Sequence, residues 1–212
     1  MAQPVPPDRA MLVPVASLEE FFRDSLDAAL AANHVTVDSS TSRYVVNLLT
    51  LNARTDSTFE NGAVHAAERP LALLLAEAAS APSREERAFL LQRLGDIALF
   101  TAGFFADSLR DRAVGLDYYV GMGGGAYRSL AHDSRSSTRA AALAEVFAEL
   151  GAKFIGLVDA LNELRATVSG RGCADVLGLY EQWLSTGSPR ASRLLRQAGI
   201  IPTPLGIRRY EH

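Results

Sequence analysis

This chain has little cysteine, and that limits its chemistry first. One cysteine, Cys173, stands among 212 residues, so no disulfide can close within the chain and no cysteine-based zinc centre can be built. The composition fits a reducing cytoplasm, which is the expected localisation. No run of about 18 apolar residues occurs, so no membrane-spanning helix is expected. Neither sign of charge dominates: the net charge is −3, which gives no global electrostatic case for nucleic acid or an anionic membrane. Strand-period alternation is missing, and so is any internal repeat. His-x-x-x-His and Glu-x-x-His pairs are absent, and with them the metal-bundle signature. There is no Gly-x-Ser-x-Gly elbow and no Gly-x-x-x-x-Gly-Lys phosphate loop.

Apolar residues make up 48% of the chain, enough for a sizeable core in one domain. Four prolines in the first 14 residues predict a flexible or extended arm over 1–16, without the unbroken apolar core of a secretion signal. An all-helical domain is predicted over 17–200, and 201–212 reads as an irregular tail.

Apolar residues at helical spacing predict about seven or eight helices in one all-α bundle. Ser17, with Glu19 and Glu20, starts a helix over about 17–32. Ser39-Ser40-Thr41 offers caps for a second over about 40–53, and Pro70 suits the first turn of a third over 69–80. Ser83 opens the longest, predicted over 84–114. Its middle, Ile97 to Phe105, is apolar nearly all round, as expected of a helix enclosed by others. Further helices are predicted at 116–131, 137–167, 173–185 and 189–198.

The unusual chemistry lies between Leu90 and Leu130. Asp96 interrupts an apolar run, and an unpaired buried carboxylate would be costly. Arg43 or Arg54 on the second helix is the obvious ion-pair partner; the alternative is a general acid or base with a raised pKa. Gly95 and Gly103 mark close approaches between helices or access for a flat ligand. Tyr118, Tyr119 and Tyr127 flank four glycines within five positions, 121 and 123–125. Either this is a helix packed tightly on a neighbour, or a kink that opens backbone to a ligand. The candidate pocket therefore holds Asp96, Phe100, Phe104, Tyr118, Tyr119, Gly121, Gly124 and Tyr127.

The segment Tyr118 to Tyr127 resembles the distal helix of haem oxygenases, where a tyrosine precedes a glycine-rich turn over the haem plane. That resemblance implies a proximal histidine near the end of the first helix, the place of His34. The family's glutamate four residues on is Asp38 here, and its Gly-Asp-Leu-Ser-Gly-Gly is Gly-Met-Gly-Gly-Gly. The chain also resembles a bacterial family of all-helical proteins with no assigned activity. The residues that carry this are Tyr44-Val45-Val46-Asn47-Leu48-Leu49, Leu94-Gly95-Asp96 through Phe105, and Asp117-Tyr118-Tyr119 with Gly121 and Tyr127.

The remaining features read as structural. Glu60, His65 and Glu68 fit no standard metal spacing, and Cys173 reads as incidental. Arg190, Arg193, Arg196, Arg208 and Arg209 form a basic C-terminal region, read as a surface helix rather than a nucleic-acid reader. The expected function is an interaction or regulatory module acting as a homodimer or on a protein partner. The alternative is a ligand-binding bundle, with haem the most specific ligand named by the resemblance.

Overall fold

The computed structural model describes residues 18–55, 70–109, 112, 114–133, 138–169 and 175–203. The proline-rich arm, Glu60, His65, Glu68, Cys173, Arg208, Arg209 and the tail beyond Thr203 lie outside them. The described residues are all-α, with ten helices and no strand. They are α1 (Leu18–Ala32), α2 (Ser39–Thr55), α3 (Leu71–Ala79), α4 (Arg84–Phe104), α5 (Ala106–Leu109), α6 (Leu116–Asp133), α7 (Thr138–Ala152), α8 (Phe154–Ser169), α9 (Val176–Thr186) and α10 (Pro189–Gln197). Among the described residues, no helix is long and apolar enough to cross a membrane.

The expected central helix is central. Ala98 to Phe105 are all buried, as an all-round apolar segment must be, and α4 packs against α3, α6 and α8. Ser83 caps α4 by accepting from the Glu86 amide at 3.1 Å. At the C-terminus of α1, the amide of Val35 reaches back to Leu30 and that of His34 to Ala31, with His34 at φ 55°. This is the helix-terminating turn that usually takes glycine. Gly199, at φ 81°, closes α10 in the same way.

The two extra helices come from two predicted helices that break. Residues 84–114 stop at Phe104, and Phe105 leaves helical geometry with φ −125° before the short α5 begins. At this end α4 lies tight on α8: a Cβ on Gly103 would sit 2.6 Å from Leu161 Cβ. Residues 137–167 break at Lys153 into α7 and α8. There the Arg128 guanidinium donates to the Gly151 carbonyl at 3.1 Å, entering the ladder from α6. A side chain inserted this way is a common cause of a helix kink. Lys153 itself turns out to Glu149 Oε1, at 2.7 Å, and to the carbonyl of Thr36.

Smaller corrections follow from packing. Pro70 precedes α3 as its cap residue, outside the first turn. Asp38, not the serines after it, caps α2, since its carboxylate accepts from the Ser40 amide at 2.8 Å and Ser40 Oγ at 2.6 Å. Those bonds hold the Asp38 carboxyl below the usual carboxylate range. α9 starts only at Val176, capped by Asp175. Leu51, Leu143, Val176, Leu177 and Leu184 are exposed.

The glycine run is continuous helix, and its four glycines divide by face. Gly123 is buried, and a Cβ there would collide with Phe154 Cζ and stand 2.7 Å from Ala98 Cβ. Nothing lies within 4 Å of a Cβ built on Gly121 or Gly125. Gly123→Ala is expected to cost about 1–3 kcal/mol through overpacking. Gly121→Ala and Gly125→Ala should each gain about 0.5–1 kcal/mol from helix propensity. Urea titration of the three variants separates the two classes; equal signs for all three would show that packing does not decide.

Candidate functional site

Asp96 organises a place where partly buried polar chemistry meets an open cleft. Its Oδ1 accepts from Tyr44 Oη at 2.6 Å and from Tyr127 Oη at 2.7 Å. Gln92, one turn earlier on α4, donates to Tyr44 Oη at 3.0 Å. Three helices thus supply the cluster: α2 brings Tyr44, α4 brings Gln92 and Asp96, and α6 brings Tyr127. Gly95 makes the arrangement possible, because a Cβ there would stand 2.6 Å from Tyr127 Cε1. The bare backbone lets the Tyr127 ring lie against α4, so that its hydroxyl reaches the next residue. The ring is fully buried, stacked on Phe147 at 6.0 Å and tilted against Phe154 at 6.1 Å. Tyr44 meets Phe147 edge-on at 5.7 Å.

Electrostatics follow from this burial. Desolvation pushes the Asp96 carboxyl above the usual carboxylate range, opposed by the hydrogen bonds of Tyr127 and Tyr44, which favour the charged form. The Tyr44 phenol is pushed up by burial first and by the Asp96 charge second, and Tyr127 well up for the same reasons. The tyrosines therefore stay protonated donors. No Lys, Arg or His of the described residues pairs with Asp96. The expected ion pair is thereby corrected: Arg43 is exposed and turned away, and the Arg54 side chain lies outside the described residues. Two phenols on one face do the work assigned to an arginine.

Asp96 lines a cleft of about 390 Å³ between α2 and α4. The α2 wall is Leu48, Leu51 and Asn52; the α4 wall is Phe89, Gln92, Arg93, Ile97 and Phe100. Leu51 is 65% exposed and Phe89 61%, so the mouth carries apolar surface, while Asn52, Gln92 and Arg93 add polar groups to the walls. Phe100 is held from behind by Phe104, stacked at 5.1 Å, and by Phe105 at 5.8 Å.

The other expected site residues are placed elsewhere. Tyr118 accepts the Ala72 amide at 3.0 Å, satisfying a free donor in the first turn of α3. Tyr119 is buried, which raises its phenol, and it meets Tyr118 edge-on at 5.6 Å. Phe104 backs the cleft without lining it. Gly121 is exposed, and Gly124 packs beside Phe154 and the Gly151 carbonyl. His34 is an exposed helix terminator. Asp107, off the broken helix, pairs with Arg165 at 3.4 Å. Of the candidate residues, Asp96 bonds Tyr127 and shares the cleft with Phe100, Phe104 stacks on Phe100, and Tyr118 and Tyr119 meet each other. The glycines form no turn, and Phe154 and Ala98 cover the buried face at Gly123.

Sequence reasoning missed Tyr44, Gln92 and the α2 wall. Gln92 was legible as the residue four before Asp96 on one helix face. Tyr44 was not, since nothing local pairs α2 with α4.

The basic C-terminal helix is an amphipathic helix with Ala191 and Leu195 buried. Arg190 Nε donates to Glu163 Oε2 at 2.7 Å and Arg193 Nη2 to Asn33 Oδ1 at 3.1 Å. Two of its arginines fasten α10 to α8 and to Asn33 at the end of α1. Among the described residues, no group of three or more His, Cys, Asp or Glu is placed to hold a metal. No family model, curated protein or solved structure matches this chain.

Proposed function

We propose that this protein is a small-molecule-binding helical bundle whose pocket is the α2–α4 cleft, with Asp96 as its polar anchor. One observation carries the reading: a carboxylate without a bonded cationic partner, held in place by two phenols, stands in a largely apolar cleft that also holds Asn52, Gln92 and Arg93. Pockets of this kind combine apolar walls with a few fixed polar groups, at volumes of roughly 300–1,000 Å³. The one cysteine suits a reducing, cytoplasmic setting.

The anchor costs stability, which makes the reading testable. Asp96 binds its proton more tightly folded than unfolded, because its folded pKa is raised above the ordinary 3.8. The folded state thus takes up a proton, and stability falls as pH rises from 3.8 through the raised value. Asp96→Asn keeps an acceptor for both tyrosines and removes the charge. It is expected to raise Tm at neutral pH and to flatten that acid-to-neutral decline, while abolishing ligand retention. Thermal unfolding across pH, with native mass spectrometry of wild type and variant, checks both. A variant less stable at neutral pH would mean that Asp96 is a structural tie and not an anchor.

A second reading, a homodimeric interaction module, draws on the exposed Leu51, Leu73, Leu75 and Phe89. A bare mass at twice the subunit mass would favour it.

A further inference from the structure

We infer that the cleft selects an organic amine, a protonated nitrogen on an apolar body, in preference to an acid or a neutral alcohol. The inference rests on the cleft reading above and names its ligand class.

Both tyrosine bonds converge on Oδ1 of Asp96, and no bond from a described residue reaches Oδ2. The carboxylate therefore has one oxygen fixed and one oxygen unused, in a side chain that lines the cleft. Phenols donate hydrogen bonds but bring no positive charge, so the buried negative charge stays uncompensated. A group that brings both a donor and a positive charge completes the site, and an ammonium does so with one N–H on Oδ2. An anionic ligand would place like charges together. A neutral alcohol would supply the donor without the charge.

The walls agree. Phe100, buried against Phe104 and Phe105, adds to the apolar lining. Leu48 and Ile97 flank Asp96 and suit a hydrocarbon body. Arg93 also lines the cleft but is exposed, where solvent screens its charge from a ligand at Asp96. It leaves Asp96 unpaired although it precedes it by one turn.

The test uses three probes with one apolar body: 2-phenylethylamine, 2-phenylethanol and 3-phenylpropanoate, titrated calorimetrically into the full chain. The amine is expected to bind at least about tenfold tighter than the other two, and to lose at least that factor in Asp96→Asn. Leu51→Trp, which narrows the mouth from an exposed position, should weaken it without unfolding the protein. If the alcohol or the acid binds as tightly as the amine and Leu51→Trp weakens it, the amine assignment falls and the cleft reading stands. If none of the three binds folded wild type, or if binding ignores Leu51→Trp, both fall.

Discussion

Tyr127→Ala is expected to remove about 3–5 kcal/mol of folding stability, the usual cost of deleting a buried aromatic ring. Tyr127 has no exposed surface and touches Phe147, Phe154, Gly95 and Asp96, so the cavity would open at the centre of α4, α6, α7 and α8. Tyr127→Phe keeps the ring and deletes only the hydroxyl. Its expected cost is about 1.5–3 kcal/mol, that of a hydrogen bond to a charged group. The lost bond favoured the ionised carboxyl, so the Asp96 pKa should rise further, as followed by carboxyl NMR titration. Tyr44→Phe should act in the same direction. Because both hydroxyls share Oδ1, each survivor can tighten when the other is lost. The double variant should therefore cost more than the sum of the singles, by at least about 0.5 kcal/mol in urea denaturation. Strict additivity would mean that the two phenols do not act on one charge.

The second large effect is expected at Asp159, on α8. It is 2% exposed and stands at the N-terminus of α10. One carboxylate oxygen accepts from Ser188 Oγ at 2.7 Å and the other from the Arg190 amide at 3.0 Å. Ser188 Oγ in turn accepts the Ala191 amide at 3.0 Å, so the capping residue is itself held by the carboxylate. Negative charge at a helix N-terminus is favourable, although burial here pushes the Asp159 carboxyl up, against those hydrogen bonds. Asp159→Ala orphans two donors, each costing about 1–3 kcal/mol if buried. The loss should fall on one part of the molecule. α9 and α10 share a small cluster of their own, Leu179, Ala191 and Leu195, and α10 is fastened to the bundle here and at Glu163 and Asn33. Amide exchange should speed up across 176–197 while 84–104 stays protected. Asp159→Asn, which keeps one acceptor, should show a smaller version of the same pattern. Uniform loss of protection would mean that the pair is not a separable unit.

Much of the helical pattern was legible because it is local. The Ser83 cap, the Gly199 terminator and the all-round apolar segment from Ile97 to Phe105 each act through near neighbours in sequence, and each does what its residues imply. The breaks at Phe105 and Lys153 were not legible. The apolar period runs through both, and beside each break the chain meets another helix: Leu161 against Gly103, Arg128 onto Gly151. The glycine run shows the same division. Its composition marked a special place, but only neighbours decide that Gly123 is a contact and Gly121 is not.

For the site, sequence alone singled out Asp96, because a carboxylate within an apolar helix demands a partner wherever the chain folds. The identity of that partner was beyond it. Arginines on α2 were the plausible choice by charge, yet Tyr44 and Tyr127 lie 52 and 31 residues away and meet at one oxygen only because α2 and α6 flank α4. The sequence by itself determined an all-α chain, its most enclosed helix and the residue whose burial needs explaining, since periodicity, caps and desolvation are properties of short segments. Tertiary structure alone decided where the long helices break, which glycines are contacts, and that Asp96 is held by phenols beside an apolar cleft. Those outcomes depend on which surfaces meet, and residues far apart in sequence carry no local record of that.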